Sequence, residues 1–148
     1  TYSYDALNQL TREGNTTYAF DSLGNPLDAD VSQFNEILSH GSEQFIYDDT
    51  GKPVTKSSSS GKVHYTYDAL DRLTSIQEED GATTTFTYDG LSRLVSKQTD
   101  TKVQYYLYDQ DIEIGMIDAS LHIIELKVLG LGIIGDIGST LAVELNDT

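Results

Sequence analysis

The sequence predicts an all-β fold assembled from tandem β-hairpins, and three observations carry that prediction. An aromatic–x–aromatic–Asp unit recurs six times, the later copies step by 20 or 21 residues, and turn-forming residues recur at fixed offsets behind each Asp. Repetition at such a period marks an array in which each unit is one supersecondary element.

The six copies are Tyr2-Ser3-Tyr4-Asp5, Tyr18-Ala19-Phe20-Asp21, Phe45-Ile46-Tyr47-Asp48, Tyr65-Thr66-Tyr67-Asp68, Phe86-Thr87-Tyr88-Asp89 and Tyr106-Leu107-Tyr108-Asp109. Thirteen of the fourteen aromatic residues lie in these units or, like Tyr105, directly beside one; only Phe34 stands apart. Aromatics at i and i+2 project from the same face of a strand, and the residue between them points to the other face.

Each Asp closes its strand. Its carboxylate is placed to accept hydrogen bonds from turn amides a few residues on. The continuations Asp5-Ala-Leu7-Asn8-Gln9-Leu10, Asp68-Ala-Leu70-Asp71-Arg72-Leu73 and Asp89-Gly-Leu91-Ser92-Arg93-Leu94 share an apolar residue, a turn former, a polar residue and Leu. In Asp21-Ser-Leu23-Gly24 and Asp48-Asp-Thr50-Gly51 the turn former is Gly. Gly, Asn, Asp and Ser all tolerate tight-turn backbone angles.

The next strand begins at the Leu, and a second turn comes midway, as at Glu79-Asp80-Gly81 and Asp100-Thr101-Lys102. One repeat is therefore a hairpin of roughly 20 residues. Stacked hairpins set Tyr4, Phe20, Tyr47, Tyr67, Tyr88 and Tyr108 in a lateral row. Arg72 and Arg93, equivalent in adjacent copies, either lie over tyrosine rings or pair with Asp. Residues 1–112 form the repeat array, with an insertion or degenerate half-repeat at 28–41. Residues 113–148 form a C-terminal β segment that includes a Gly-rich apolar turn.

Spacing, aromatic identity and turn chemistry together resemble the YD-repeat, or Rhs-repeat, family over residues 1 to about 115. The segment from Glu113 to Gly132 is similar to the stretch found after the last repeats in such proteins. The resemblance implies a long, twisted or spiralling antiparallel sheet that forms a hollow shell. In bacterial polymorphic toxins and insecticidal toxin complexes such a shell encloses a toxic C-terminal domain; in teneurins a similar shell serves adhesion. The chain departs from the toxin pattern at one point. Its only prolines are Pro26 and Pro53, so the Asp-Pro motifs of the self-cleaving region have no counterpart.

Composition narrows the partners. A net charge of −15 and a pI near 4.2 oppose nucleic acid and anionic membrane surfaces. The absence of cysteine excludes disulfides and zinc–thiolate sites. The apolar stretch from Val128 to Val143 is too short for a helical span and carries Asp136. The chain opens inside a repeat without a leader and no toxin domain comes after residue 148, so it reads as a piece of a longer polypeptide.

Other motifs read as structure. Gly130-Leu-Gly132-Ile-Ile-Gly135 matches a dinucleotide fingerprint, yet only 13 residues remain beyond it, too few for the required βαβ unit. Asp109, Asp111 and Glu113 alternate and, with Asp118, invite calcium, but the glycine turn of a calcium loop is missing; they read as a charged strand edge. His40, His64 and His122 lack metal-ligand spacing. Ser57-Ser58-Ser59-Ser60-Gly61 reads as a flexible loop between hairpins. Asn15 and Asn146 open acceptor-type sequons.

No nucleophile–base–orienter set is identifiable. The expectation is a non-catalytic structural segment of a secreted or surface, bacterial protein, with no cofactor and no metal. Its partners are the rest of the same shell or a neighbouring copy through sheet edges, and an encapsulated toxin domain. An adhesion or carbohydrate-binding module, and a β-fibre subunit, are the alternatives.

Overall fold

A computed structural model describes residues 1–131 and 137–145. The described residues form fifteen β-strands and no helix, in two compact units, Thr1–Val63 and His64–Thr148.

The first unit opens with a three-stranded antiparallel sheet of β1 (Tyr2–Tyr4), β2 (Leu10–Glu13) and β3 (Thr16–Thr17). The second aromatic unit departs from the predicted strand, because Phe20 makes only an isolated bridge to Pro26. Proline has no N–H to extend a ladder there. An antiparallel meander comes next: β4 (Ala29–Val31), β5 (Ile37–His40), β6 (Glu43–Tyr47) and β7 (Pro53–Ser58). The stretch read as an insertion thus contains two strands of its own.

The division between the units falls inside β8 (Gly61–Tyr67). Ser59 and Ser60 form a two-residue turn between β7 and β8, in which the Ser60 amide donates to Ser58 Oγ at 3.2 Å. The serine run is a hairpin turn and not a flexible loop. Gly61, with φ of 121°, supplies the backbone freedom.

The second unit continues as an antiparallel meander of β9 (Leu73–Glu78), β10 (Thr83–Tyr88), β11 (Leu94–Gln98), β12 (Val103–Asp109), β13 (Ile112–Asp118), β14 (Ile123–Leu131) and β15 (Ile137–Leu145). β14 and β15 pair antiparallel, with Leu131 opposite Ile137. The glycine fingerprint runs on into residues 132–136, outside the described residues, as does the sequon at 146–148. Gly115, the one buried residue of β13, is fixed by packing, since a Cβ there would lie 2.4 Å from the Glu125 carbonyl oxygen.

Alternation shows on single strands. In β6, Phe45 and Tyr47 are half-buried while Gln44 and Ile46 are exposed. The same facing in the second unit gives β9 to β11 one hydroxyl-rich face, where Ser75 lies opposite Thr85 and Thr87 opposite Ser96. Thr87 and Ser96 hydroxyls bond at 2.7 Å. Among residues 1–127 no hydrophobic side chain is buried, and Asn25, 8% exposed, is the only buried polar one. No helix among the described residues is long and apolar enough to cross a membrane.

Candidate functional site

Among the described residues, seven turns share one construction and give the molecule its most regular chemistry. In each, residue 0 is Asp or Ser, the residue at +3 has positive φ, and the residue at +4 returns the chain to the next strand. The +3 positions are Asn8, Gly24, Asn35, Gly51, Asp71, Ser92 and Leu121, with φ between 62° and 87°. The amide at +3 donates to the carbonyl at 0, as Asp71 does to Asp68 at 3.0 Å and Ser92 to Asp89 at 3.1 Å. The amide at 0 donates to the carbonyl at +4 (Asp68 to Arg72, 2.9 Å). A left-handed residue after a tight turn gives the strand an extra residue, and a bulge results. Register shifts fall immediately before the residue ahead of the turn, at Tyr4, Val31, Tyr47, Tyr88 and Ile117.

The carboxylates lock these turns. Asp5 Oδ1 accepts from the amides of Leu7 and Gln9 at 2.8 and 2.9 Å. Asp21, Asp48, Asp68 and Asp89 each accept from the amides at +2 and +4 within 3.0 Å. Two locks were not legible as repeats. Asp118 accepts from Ser120 and His122 at 2.8 and 2.9 Å. Ser32 does the same work with a hydroxyl, accepting from Phe34 at 3.1 Å and Glu36 at 3.3 Å.

Donors favour the ionised carboxylate. The Arg72 guanidinium holds Asp68 below the usual carboxylate range, with the Arg72 amide second. For Asp89 the Arg93 amide leads and its guanidinium is second. The Asn25 side-chain amide lowers Asp21, and the His122 amide lowers Asp118. The Thr50 hydroxyl brings Asp48 down to about 2.

Asp109 is the exception. It ends β12 opposite Ile112, and the reversal uses only Gln110 and Asp111, with Gln110 at φ 54°. No turn amide bonds its carboxylate among the described residues. Asp111 therefore sits in a turn and Glu113 on the next strand, paired with Lys127, so the alternating carboxylates do not share one strand.

Residue +4 links one turn to the next. Arg72 donates through Nε to Asp68 Oδ2 at 2.7 Å, and its terminal nitrogen reaches Ser92 Oγ at 3.2 Å and the Asp89 carbonyl at 3.3 Å. Its guanidinium carbon lies 4.8 Å from the Tyr88 ring centre. Arg93 repeats the pattern, bonding Asp89 Oδ2 at 2.7 Å, reaching the Gln110 carbonyl and lying 4.9 Å over Tyr108. The two arginines thus both stack and pair.

Each tyrosine hydroxyl then donates to the carbonyl after the preceding arginine: Tyr88 to Leu73 at 2.8 Å, and Tyr108 to Leu94 at 3.0 Å. In the first unit Tyr47 donates to Ile37 at 2.9 Å. There Asn25 fills the +4 role, bonding Asp21 Oδ2 at 3.0 Å and Asn35 Oδ1 at 2.6 Å. The Gln9 amide likewise stands 3.2 Å from where a Cβ on Gly24 would lie.

Residue +2 does the opposite and points away. Leu7, Leu23, Leu70 and Leu91, which the sequence marks as apolar repeat positions, are all more than 60% exposed, and so is Phe34, which it sets apart. The histidines fall into separate surroundings: His40 and His122 meet Asp28 and Asp118, each at 3.2 Å, while His64 lies in β8. No cluster of three metal-ligating side chains occurs among the described residues. The arrangement offers a ladder of backbone locks and inter-turn links.

Comparison with known proteins gives the same region a context. Residues 47–83 and 72–102 match the RHS Repeat family model. The chain is also 36% identical over 128 residues to the tRNA nuclease WapA of Bacillus subtilis (strain 168). That match covers 73% of this chain and 5% of the relative, so the chain spans about a twentieth of the curated relative's length.

Proposed function

From the premise that this chain belongs to the Rhs, or YD-repeat, family, we propose that it is a non-catalytic wall segment of a longer exported protein. In this reading its hairpins contribute to a shell around a toxin or effector domain. The observation that carries it is the absence of any buried hydrophobic side chain among residues 1–127. Sheets gain stability by burying a face against a second layer. Half-buried tyrosines and exposed turn leucines suit a wall that meets further protein on its faces.

The edges support the same reading. β15 has only β14 as a ladder partner among the described strands, so its outer side suits pairing with the rest of the wall or with a neighbouring copy. On this reading residues 1–112 are the repeat array, and β14 and β15 belong to the segment that comes after it. Cleavage of tRNA, named for the relative, lies on this reading in parts of that protein outside the shared twentieth. A net charge of −15 opposes contact with phosphates.

Mass measurement of the natural product tests the proposal. A chain several times longer than 148 residues, protease-resistant through these repeats, is expected. A mature 16.3 kDa product, or turnover of tRNA by residues 1–148 alone, would overturn it.

A further inference from the structure

The ladder reverses sign at one place. Glu36 occupies the +4 position held by Arg72 and Arg93, with the same neighbours. Ile37 after it accepts the Tyr47 hydroxyl, as Leu73 and Leu94 accept those of Tyr88 and Tyr108. The Glu36 carboxylate lies 3.6 Å from where a Cβ on Gly51 would stand, and Gly51 is the left-handed residue of the next turn. Arg72 meets the corresponding residue, Ser92, at 3.2 Å. Where two tyrosines of the second unit carry a guanidinium, Tyr47 has a carboxylate beside it; burial first, and that carboxylate second, raise its hydroxyl pKa.

A groove opens at this point. It has a volume of about 940 Å³ and is lined by Phe34, Glu36, Leu38, Tyr47 and Asp49, among others. Phe34, 75% exposed, forms one wall, and Asp49 lines the same groove as Glu36. Asp48, also on the rim, is paired with Lys52 at 3.5 Å, whereas Asp49 makes no such pair among the described residues. The groove therefore joins aromatic surface to two carboxylates, where the chain itself surrounds Arg72 and Arg93 with a tyrosine ring and one carboxylate each.

We propose that this groove is a docking site for an arginine side chain presented by a basic segment of a partner polypeptide. The guanidinium lies against the Tyr47 and Phe34 rings and donates hydrogen bonds from its fork to Glu36 and Asp49. Planarity favours arginine over lysine, because a guanidinium stacks and bonds a carboxylate through two N–H groups at once. The chain's charge of −15 draws a basic partner toward it.

The test titrates residues 1–148 with the peptide acetyl-Gly-Gly-Arg-Gly-Gly-amide, monitored by amide shifts, beside its citrulline and lysine counterparts. Shifts should concentrate on Phe34, Glu36, Tyr47, Asp49 and Gly51. Citrulline, the neutral isostere, should bind about tenfold more weakly, and lysine about threefold. Glu36→Arg, which supplies the missing guanidinium from within, should abolish binding. Should that variant fail to fold, Asp49→Asn alters only one carboxylate at the groove and should weaken binding about threefold. Shifts spread evenly over the acidic surface, equal binding of citrulline, or unchanged affinity in both variants would each overturn the site.

Discussion

The turns opened by Asp68 and Asp89 and the turn opened by Ser32 share one backbone plan with different chemistry. All three place a left-handed residue at +3 and return the chain at +4. The Asp turns lock with a carboxylate whose amide bonds lie at 2.9–3.0 Å and end in an arginine. The Ser32 turn locks with a hydroxyl at 3.1–3.3 Å and ends in Glu36, whose carboxylate accepts a bond from that hydroxyl at 2.9 Å. The backbone tolerates either lock. What the choice sets is the charge presented to the next turn, cationic in one case and anionic in the other.

Acid should separate the two kinds of turn most sharply. The native carboxyls of Asp21, Asp48, Asp68, Asp89 and Asp118 sit below the usual value of 3.8, Asp48 at about 2. A lowered native pKa stabilises the fold above the ordinary carboxylate value, and that stabilisation is lost as pH falls through the native one. Amide exchange at Gly51, Asp71 and Ser92 should therefore accelerate as pH falls from about 4 toward 2, after correction for intrinsic rates. Asn35, behind a serine, should keep its protection over the same interval. Parallel behaviour of Asn35 and Gly51 would erase the distinction.

Removing single locks should show a smaller difference of the same sign. Asp89→Ala removes an ionised acceptor from two amides and from Arg93, whereas Ser32→Ala removes a neutral one. Charge-assisted bonds are roughly twice as strong as neutral ones. Melting temperature is expected to fall on the order of 5 °C for Asp89→Ala and about 2 °C for Ser32→Ala. Equal losses in thermal scans would mean that the backbone, and not the acceptor, holds the turn.

The smallest effect lies at Leu121, which takes the +3 position with φ of 65°. A left-handed angle disfavours leucine, and asparagine tolerates it better. Leu121→Asn should stabilise the chain by about 0.5–1 kcal/mol in chemical denaturation. Destabilisation instead would show that the exposed leucine contributes an apolar contact.

Much of this ladder was legible in the residues. The Asp locks, the hairpin period and the choice between stacking and pairing for Arg72 and Arg93 all come from spacing, and the structure satisfies both options for the arginines at once. Turns without an aromatic ahead of them escaped. Val31-Ser32-x-x-Asn35-Glu36-Ile37 and Ile117-Asp118-x-x-Leu121-His122-Ile123 keep the offset from lock to next strand, but Val31 and Ile117 replace the tyrosine. Leu121 further hides its turn, since leucine gives no turn signal.

At Asp109 the error ran the other way. Tyr108-Asp109 reads as a lock, yet Ile112 pairs directly with it and leaves room for a two-residue reversal only. Local sequence does not reveal which of two competing turns closes a hairpin when both fit. The exposure of Leu7, Leu70 and Leu91 was likewise hidden, because an apolar residue at a fixed repeat position looks the same whether it meets a core or a neighbour.

The links made by the side chain at +4 run in one direction. Gln9 leans on Gly24, Asn25 bonds Asn35, Arg72 bonds Ser92 and Arg93 bonds the Gln110 carbonyl, always from an earlier turn to a later one. During synthesis the reaching side chain leaves the ribosome before the turn it will hold. Each newly emerged hairpin finds its partner already in place, and the array can close behind the ribosome one hairpin at a time, without waiting for distant segments.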